Sequence, residues 1–256
     1  MEALIACDIG GTQIRVATFD ATSGKIIQQK RIPTQASGEK AEDRLLGLIA
    51  ELWPAEGHVR AIGAAAPGFV DPESGVIFFS PNIHGWNGMP LRATIEDRFG
   101  VPVFVGNDAN LAALGEMHYG LGQGVKNFVL IRLTTGVGAG LVVGGRLYQG
   151  NHWAAGEIGH MVFDQEAAAG VPNDRGYLES VIGSDRLRER VRTAKTKAAV
   201  EAAQAGGSDL HGELLEAVRR GDPAAVAIVD DLGSKVSLAA ANLAVVMDPE
   251  LILLAG

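Results

Sequence analysis

The sequence predicts an α/β protein that contains an internal duplication, and three observations support this. Two segments, one starting near residue 3 and the other near residue 127, show the pattern strand, glycine turn, strand, short turn, strand. Stretches with apolar residues three or four apart follow each segment, a spacing typical of helices with one buried face. Glycine supplies 34 of the 256 residues, nearly twice the usual share, and clusters at strand ends. This clustering indicates a backbone that approaches something closely.

The first half alternates apolar strands with amphipathic helices. The strands are short apolar runs bounded by turn residues such as Gly10-Gly11. Pro54 ends the first helix, because proline cannot continue a helical hydrogen-bond pattern. Asn107 can cap the third helix, because its side-chain oxygen accepts from the free amides of the first turn. We predict strands at Leu4–Ile9, Gln13–Asp20, Lys25–Arg31, Ala61–Ala66 and Val101–Val105, and helices at Glu39–Trp53, Leu91–Phe99 and from Asn107 to about Tyr119.

The second half repeats the strand pattern and then becomes mainly helical. Gly144-Gly145 favours a tight hairpin, and Asp222 opens the last helix with Pro223 at its first position, where proline is preferred. We predict a glycine turn at Thr134–Gly140, strands at Phe128–Leu133, Leu141–Val143, Arg146–Tyr148 and Leu251–Leu254, and helices at Ser184–Ala205, Asp209–Arg220 and Asp222–Met247. The expected domains are a small N-terminal α/β domain of residues 1–110 and a larger α/β domain of residues 111–256.

Composition excludes several classes of protein. The chain carries 22 Lys and Arg against 30 Asp and Glu, a net charge of −8, which disfavours nucleic acid or an anionic membrane as a partner. The single cysteine, Cys7, excludes a disulfide framework and a cysteine-rich zinc site. No apolar run reaches the roughly 18 residues of a membrane span, and Asp8 interrupts the one early apolar stretch, so we expect no signal peptide. A soluble cytoplasmic protein is expected.

The two glycine turns predict a phosphate site. Each would offer backbone N–H groups to an anion at close range. No Gly-Lys-Ser/Thr sequence occurs, so a P-loop is excluded. The run Gly136-Val137-Gly138 leads into an apparent strand rather than a helix, which makes a dinucleotide site a weak interpretation. One glycine turn alone would more simply close a hairpin, but the matched pair favours phosphate binding.

Side chains near these turns complete the predicted phosphate site. The hydroxyl groups of Thr12, Thr134 and Thr135 can donate to phosphate oxygens. Asp8 lies at the end of the first strand, where one carboxylate is enough to help hold Mg²⁺, because this ion keeps water and phosphate oxygens as its other ligands. We therefore predict phosphate held by these turns and hydroxyl groups, with a magnesium ion near Asp8.

Five motifs occur in order along the chain: Asp8-Ile9-Gly10-Gly11-Thr12, Pro81-Asn82-Ile83-His84-Gly85-Trp86, Asn107-Asp108-Ala109-Asn110, Thr135-Gly136-Val137-Gly138 and Ala155-Gly156-Glu157-Ile158-Gly159-His160. Together they resemble the ROK family of sugar kinases and sugar-responsive repressors, and bacterial glucokinases most of all. The resemblance covers essentially the whole chain. It implies the duplicated actin-like, or ribonuclease H-like, fold, with sugar and ATP meeting in a cleft between two α/β domains. It also implies a homodimer or a higher homo-oligomer.

The resemblance also implies roles for particular residues. Asp108 would be the general base, and its place in the first turn of a helix favours the ionised carboxylate. Sugar hydroxyls would be held by Asn82, Asn107, Glu157, His160 and Glu179, with Gly68 allowing the backbone to approach the sugar. ATP would be bound by Asp8, Gly10, Gly11, Thr12, Thr135, Gly136 and Gly138. Glu157 and His160 could share a helical face, and two side chains are too few for an ordinary zinc site.

Two departures from the family pattern matter. Family members carry a C-x-C-G-x-x-G-C segment that binds structural zinc, and its cysteine positions here are Gly170, Pro172 and Tyr177. We therefore predict no zinc, with the loop held by packing of Pro172 and Tyr177, while the retained Glu179 indicates that the sugar pocket persists. Relatives also continue past the position of Gly256. We expect either a fragment or an incomplete nucleotide pocket, with the helix Asp222–Met247 leaving an apolar face partly uncovered.

The expected activity is ATP-dependent phosphorylation of a hexose at its 6-hydroxyl, with glucose as the first choice. N-acetylmannosamine, allose and fructose are alternatives, because these sugars differ from glucose by single groups. A sugar-binding protein without turnover is a second alternative. The repressor branch of the family is disfavoured, because its members carry a DNA-binding segment before the first strand, and here that strand begins almost at Met1.

Overall fold

The computed structural model describes residues 1–165, 169–171, 176–193 and 210–256. The strands are β1 (Glu2–Ile9), β2 (Gln13–Asp20), β3 (Ile26–Pro33), β4 (His58–Ala66), β5 (Phe69–Asp71), β6 (Val76–Phe79), β7 (Val103–Asn107), β8 (Phe128–Leu133), β9 (Val137–Val143), β10 (Arg146–Tyr148) and β11 (Leu251–Ala255). The α-helices are α1 (Ala41–Glu51), α2 (Leu91–Phe99), α3 (Asp108–Tyr119), α4 (Tyr177–Ile182), α5 (Ser184–Thr193), α6 (Leu210–Arg219) and α7 (Pro223–Met247). A short 3₁₀ helix covers Ile158–His160.

The first sheet has five strands in the order β3-β2-β1-β4-β7. β1 pairs with β2, and β2 with β3, in antiparallel fashion, whereas β4 is parallel to β1 and β7 is parallel to β4. Side chains of β1 alternate between the two faces of the sheet, so that Ile5, Cys7 and Ile9 are buried. Leu45 and Ile49 of α1 belong to the same core. This sheet therefore holds the end of β1, and the turn that follows it, in a fixed place.

The second sheet has four strands in the order β10-β9-β8-β11, with β11 parallel to β8. Its order matches that of β3-β2-β1-β4 in the first sheet. In both copies the second and third strands pair in antiparallel fashion, and one later strand pairs in parallel with the first. The internal duplication that the strand pattern predicts is thus confirmed. Each copy places a glycine-rich turn directly after its first strand.

The chain divides into two compact units. Unit 1 comprises residues 1–126 and 140–156, and unit 2 comprises residues 127–139 and 157–256. The predicted domain boundary between residues 110 and 111 stays a prediction. Gly140 of β9 lies against Ala109 and Ala113 of α3. This close packing, a tertiary contact, keeps α3 and the β9–β10 hairpin with the first unit.

Most predicted elements are present with boundaries shifted by a few residues, and the exceptions are informative. Of the predicted glycine turn Thr134–Gly140, the second part is wrong, because β9 begins at Val137. The β5–β6 hairpin, α4 and the 3₁₀ helix were not anticipated, since each is too short to show a clear period. The predicted helix Ser184–Ala205 is helical to Thr193, and residues 194–209 lie outside the described part of the chain.

Helices α5, α6 and α7 form a separate apolar core in unit 2. Leu187 and Val191 of α5 pack with Leu214 of α6 and with Ile228 of α7. The C-terminal part of α7 is exposed at two valines, Val245 at 86% and Val246 at 79%. Within the described ranges, no helix is both long and apolar enough to cross a membrane.

Candidate active site

The first glycine turn, Gly10–Thr12, connects β1 to β2 in unit 1. The amide of Gly10 donates to the carbonyl of Gln13 at 2.8 Å, and the hydroxyl of the buried Thr34 donates to the Gly10 carbonyl at 2.5 Å. These bonds fix the shape of the turn. Among the described residues, the amides of Gly11 and Thr12 donate no hydrogen bond. Two adjacent unpaired N–H groups on a fixed turn are suited to an anion.

Asp8 stands at the end of β1, next to this turn. It lies opposite Arg15 in the strand pairing, and the Oδ2 of Asp8 is 3.4 Å from an Nη1 of Arg15. The Asp8 side chain is 39% exposed, so solvent screens this pair and leaves the carboxylate accessible. One accessible carboxylate suits Mg²⁺ that arrives with phosphate oxygens. The described ranges hold no cluster of three His, Cys, Asp or Glu residues able to bind a metal alone.

Gly11 also touches the predicted sugar loop. A Cβ atom placed on Gly11 would lie 2.7 Å from the Cβ and 3.0 Å from the carbonyl oxygen of Asn82. Only glycine fits such an approach without displacing its neighbour. The structure therefore brings one predicted sugar residue directly against the first glycine turn.

The predicted base lies at the start of α3. Asn107 is the N-cap, as the sequence predicts, and its Oδ1 accepts from the amides of Ala109 at 2.9 Å and Asn110 at 3.1 Å. Its Nδ2 donates to the carbonyl of Gly68 at 3.1 Å, which joins two of the predicted sugar residues. Asp108 is the first residue of the helix and is half-buried, where the partial positive charge of the helix end stabilises its carboxylate.

The second glycine turn, Thr134–Gly136, connects β8 to β9. The amide of Thr134 donates to the carbonyl of Gly136 at 2.9 Å. In the part of the chain that the structure describes, the amides of Thr135 and Gly136 make no hydrogen bond. Each turn thus has one amide used internally and two adjacent amides free for a ligand. Gly138, predicted to contact ATP, lies in β9 rather than in the turn, so its nucleotide contact stays a prediction.

The remaining predicted sugar residues lie around this second turn in unit 2. The carboxylate of Glu179 accepts from the amide of Val137 at 3.0 Å. Glu157 immediately precedes the 3₁₀ helix, and the amide of His160 donates to its carbonyl at 3.1 Å. Gly159 lies against both Val137 and Glu179, because a Cβ there would be 2.6 Å from the carbonyl oxygen of Val137 and 3.3 Å from the Cβ of Glu179. Glu179, the 3₁₀ helix and Val137, the residue after the turn, are therefore in direct contact.

The loop that replaces the zinc segment is described in part. The ring of Tyr177 packs edge-on against Phe163, with centroids 6.3 Å apart and an angle of 78° between the planes. This is the packing role predicted for Tyr177. Pro172 lies outside the described residues. The expected lack of zinc stays a prediction.

Sequence reasoning missed two features of the site. Thr34 is fully buried and fixes the first glycine turn, but it is 22 residues or more from that turn in sequence and gives no motif. Trp153 adopts a left-handed backbone, with φ of 54°, and its ring stacks on Phe78 at 6.3 Å. Phe78 lies four positions before Asn82 and Trp153 four positions before Glu157, a spacing that could have drawn attention to them.

The repeated sheets, each with a glycine turn after its first strand, are those of the duplicated actin-like ATPase fold. The chain belongs to the ROK family, whose model matches residues 4–256. It is 35% identical to the glucokinase of Halalkalibacterium halodurans, over 98% of this chain and 79% of that protein.

Two solved structures of the family are similar to this one. A ROK family glucokinase from Streptomyces griseus, in complex with glucose and AMPPNP, has a TM-score of 0.82 and 32% identity, covering 98% of this chain and 82% of that one. A ROK family transcriptional regulator, a homologue of the E. coli MLC protein, has a TM-score of 0.84 and 28% identity, covering 100% of this chain and 65% of that one. The fold is therefore common to kinases and regulators.

Proposed function

We propose that this protein transfers the γ-phosphoryl group of ATP to the 6-hydroxyl of a hexose, with glucose as the first candidate. At the level of reaction class, the protein is an ATP-dependent sugar kinase, and its family and its glucokinase relatives support that class. The observation that carries the proposal is the pair of matched glycine turns, each with two unpaired amides, beside acidic residues of the family motifs. Other hexoses and N-acetylhexosamines are the alternative substrates.

Phosphoryl transfer needs little covalent help from the protein, because positioning and charge neutralisation dominate. The amides of Gly11 and Thr12, and those of Thr135 and Gly136, donate to phosphate oxygens. Mg²⁺ bound with the nucleotide would neutralise phosphate charge, and we assign to the Asp8 carboxylate the role of helping to hold it.

Asp108 accepts the proton of the sugar 6-hydroxyl as the hydroxyl oxygen attacks the γ-phosphorus. The bond between that phosphorus and the bridging oxygen of ADP breaks, and the products are ADP and a sugar 6-phosphate. The N-terminal end of a helix favours the ionised form of a carboxylate, which is the form that accepts a proton. Asn82, Glu157, His160 and Glu179 would orient the sugar through its other hydroxyls.

The decisive experiment compares the wild type with Asp108→Asn in a coupled ADP-release assay over a panel of hexoses. We expect the variant to lose at least about 100-fold in turnover, because a general base contributes at least that much. Sugar-dependent thermal stabilisation should persist, because the amide keeps the shape of the side chain. Asp97→Asn, at an exposed position on α2, is the matched control. Turnover at the native rate in Asp108→Asn would contradict the role of Asp108.

A sugar-binding protein without turnover is the second candidate, and the similarity to a ROK family transcriptional regulator favours it. Both candidates predict thermal stabilisation by sugar, but only the kinase consumes ATP. Sugar binding without ADP release in the wild type, with any sugar of the panel, would favour this second candidate. No stabilisation by any sugar would contradict both.

The proposal also includes the oligomeric state, the location and the zinc content of the protein. We expect a cytoplasmic homodimer or higher homo-oligomer with no nucleic-acid or membrane partner, and light scattering would measure its mass. We also expect no bound zinc, because the family's cysteines are absent from positions 170, 172 and 177. Elemental analysis of the purified protein would detect about one equivalent of zinc if this is wrong.

A further inference from the structure

We propose that Glu179 is a positioning residue for the second glycine turn, so that one carboxylate links the sugar to the nucleotide site. This inference rests on the proposed function. Its starting observation is the hydrogen bond of 3.0 Å from the amide of Val137 to the Oε2 of Glu179. Val137 directly follows the turn Thr134–Gly136, so the carboxylate holds one end of it.

Helix α4 contacts the turn at a second point. A Cβ on Gly183, directly after α4, would lie 2.7 Å from the carbonyl oxygen of Glu179 and 3.3 Å from that of Thr135. The segment from Glu179 to Gly183 therefore lies against residues on both sides of Gly136. These contacts fix the backbone that carries the two unpaired amides of the turn.

The Glu179 carboxylate can also accept further hydrogen bonds. In the portion of the chain that the structure describes, Oε2 accepts the bond from Val137 and Oε1 accepts none. An ionised carboxylate can accept several hydrogen bonds at its two oxygens. Oε1 is thus available for a sugar hydroxyl while Oε2 holds the turn. These hydrogen bonds would stabilise the negative charge of the carboxylate next to the turn.

This arrangement predicts that nucleotide binding depends on Glu179 even when no sugar is present. Aspartate at this position is one methylene shorter and cannot reach Val137 from the same backbone, whereas glutamine keeps an acceptor oxygen at the same reach. The matched control is Ser180→Ala on the same helix, because the Ser180 hydroxyl donates to the carbonyl of Tyr177 and not to the turn.

The experiment measures the affinity for Mg²⁺–AMPPNP by calorimetry, without sugar, for the wild type and the three variants. We expect Glu179→Asp to bind about tenfold more weakly, the effect of losing one hydrogen bond to a charged group. Glu179→Gln should stay within about threefold of the wild type, and Ser180→Ala should be unchanged. Glucose affinity, measured in parallel, should fall in both Glu179 variants, because each changes the group offered to the sugar.

A second measurement needs neither a variant nor a nucleotide. The amide resonance of Val137 is followed by NMR while glucose is added to the wild type, with Leu130 of β8 as the reference amide. We expect the Val137 resonance to shift and that of Leu130 to stay in place, because a sugar hydroxyl on Oε1 changes the charge that Oε2 offers to Val137. Amide exchange at Val137 should also be faster in Glu179→Asp than in the wild type.

The outcomes separate the two proposals. If the wild type binds no AMPPNP, the proposed kinase function fails, while amide exchange at Val137 still tests the role of Glu179. If the wild type binds AMPPNP and Glu179→Asp binds it equally well, with unchanged exchange at Val137, Glu179 contacts only the sugar and the inference is overturned. If Glu179→Asp does not fold, an unshifted Val137 resonance in glucose-saturated wild type would overturn it instead.

Discussion

Asn107 offers a sharp test of how the site is built, because its side chain makes two separable sets of contacts. Its Oδ1 caps α3 by accepting from two amides, and its Nδ2 donates to the carbonyl of Gly68. The residue is 9% exposed, so neither set is readily replaced by water. Asn107→Ser keeps a capping oxygen but is too short to reach Gly68, whereas Asn107→Ala loses both sets.

The expected magnitudes follow from these contacts. Loss of an N-cap costs about 1 kcal/mol of unfolding free energy, and loss of one intramolecular hydrogen bond costs about 1 kcal/mol more. Asn107→Ser should therefore lose about 1 kcal/mol and Asn107→Ala about 2 kcal/mol. In a chain of this size, 2 kcal/mol corresponds to a fall in Tm of about 4–8 °C.

Differential scanning fluorimetry and urea unfolding of the wild type and both variants would measure these differences. Asn151→Ala, at an exposed position of unit 1, is the control and should match the wild type. Equal stabilities for the serine and alanine variants would refute the capping argument. A native Tm for Asn107→Ala would refute both contributions.

Three further predictions concern other parts of the molecule. Gly11→Ala would place a methyl carbon 2.7 Å from the Cβ of Asn82, so we expect the KM values for both sugar and ATP to rise. Steady-state kinetics would measure both values, and a rise in the KM for ATP alone would contradict this expectation. Burial raises the pKa of the Cys7 thiol to about 12, so the folded protein should not react with a thiol reagent at pH 8, whereas the urea-unfolded chain should react with one equivalent. The ion pair with Lys235 lowers the pKa of Asp231 below its usual 3.8. The pair therefore stabilises the folded protein above about pH 4, and this effect is lost as the pH falls through the lowered pKa. Urea unfolding should give Asp231→Asn a free energy of unfolding less than about 1 kcal/mol below that of the wild type at pH 7, because the carboxylate is 40% exposed. This difference from the wild type should become smaller towards pH 3. A difference independent of pH would show that charge is not its cause.

Much of the local structure could be predicted from the chain alone. β2, β8, β10 and α2 begin and end where their patterns place them, because turn residues bound each apolar run. Asn107 caps α3 as its residue type predicts. Short elements were the exception. Helix α4 has six residues, fewer than two turns, so no apolar period could reveal it.

The glycine turns show where local patterns stop being sufficient. Glycine clusters predicted both turns, yet β9 begins at Val137, four residues earlier than the predicted strand start at Leu141. Gly138 and Gly140 therefore belong to a strand. Glycine is needed at position 140 because α3 packs so closely against β9 that a side chain there would collide with it. A residue that makes room for a distant neighbour looks, in sequence, like one that makes a turn.

The sequence by itself determined the order of most strands and helices, the duplication and the residue types available for phosphate and sugar. These depend on periodicity and turn chemistry, which act between neighbours along the chain. Only the tertiary structure decided that Gly11 meets Asn82, that Thr34 fixes the first turn and that Glu179 holds the second. Such contacts join residues at least 20 positions apart, and packing of the whole chain brings them together. The local conformational preferences of a residue do not specify which distant residue it will contact.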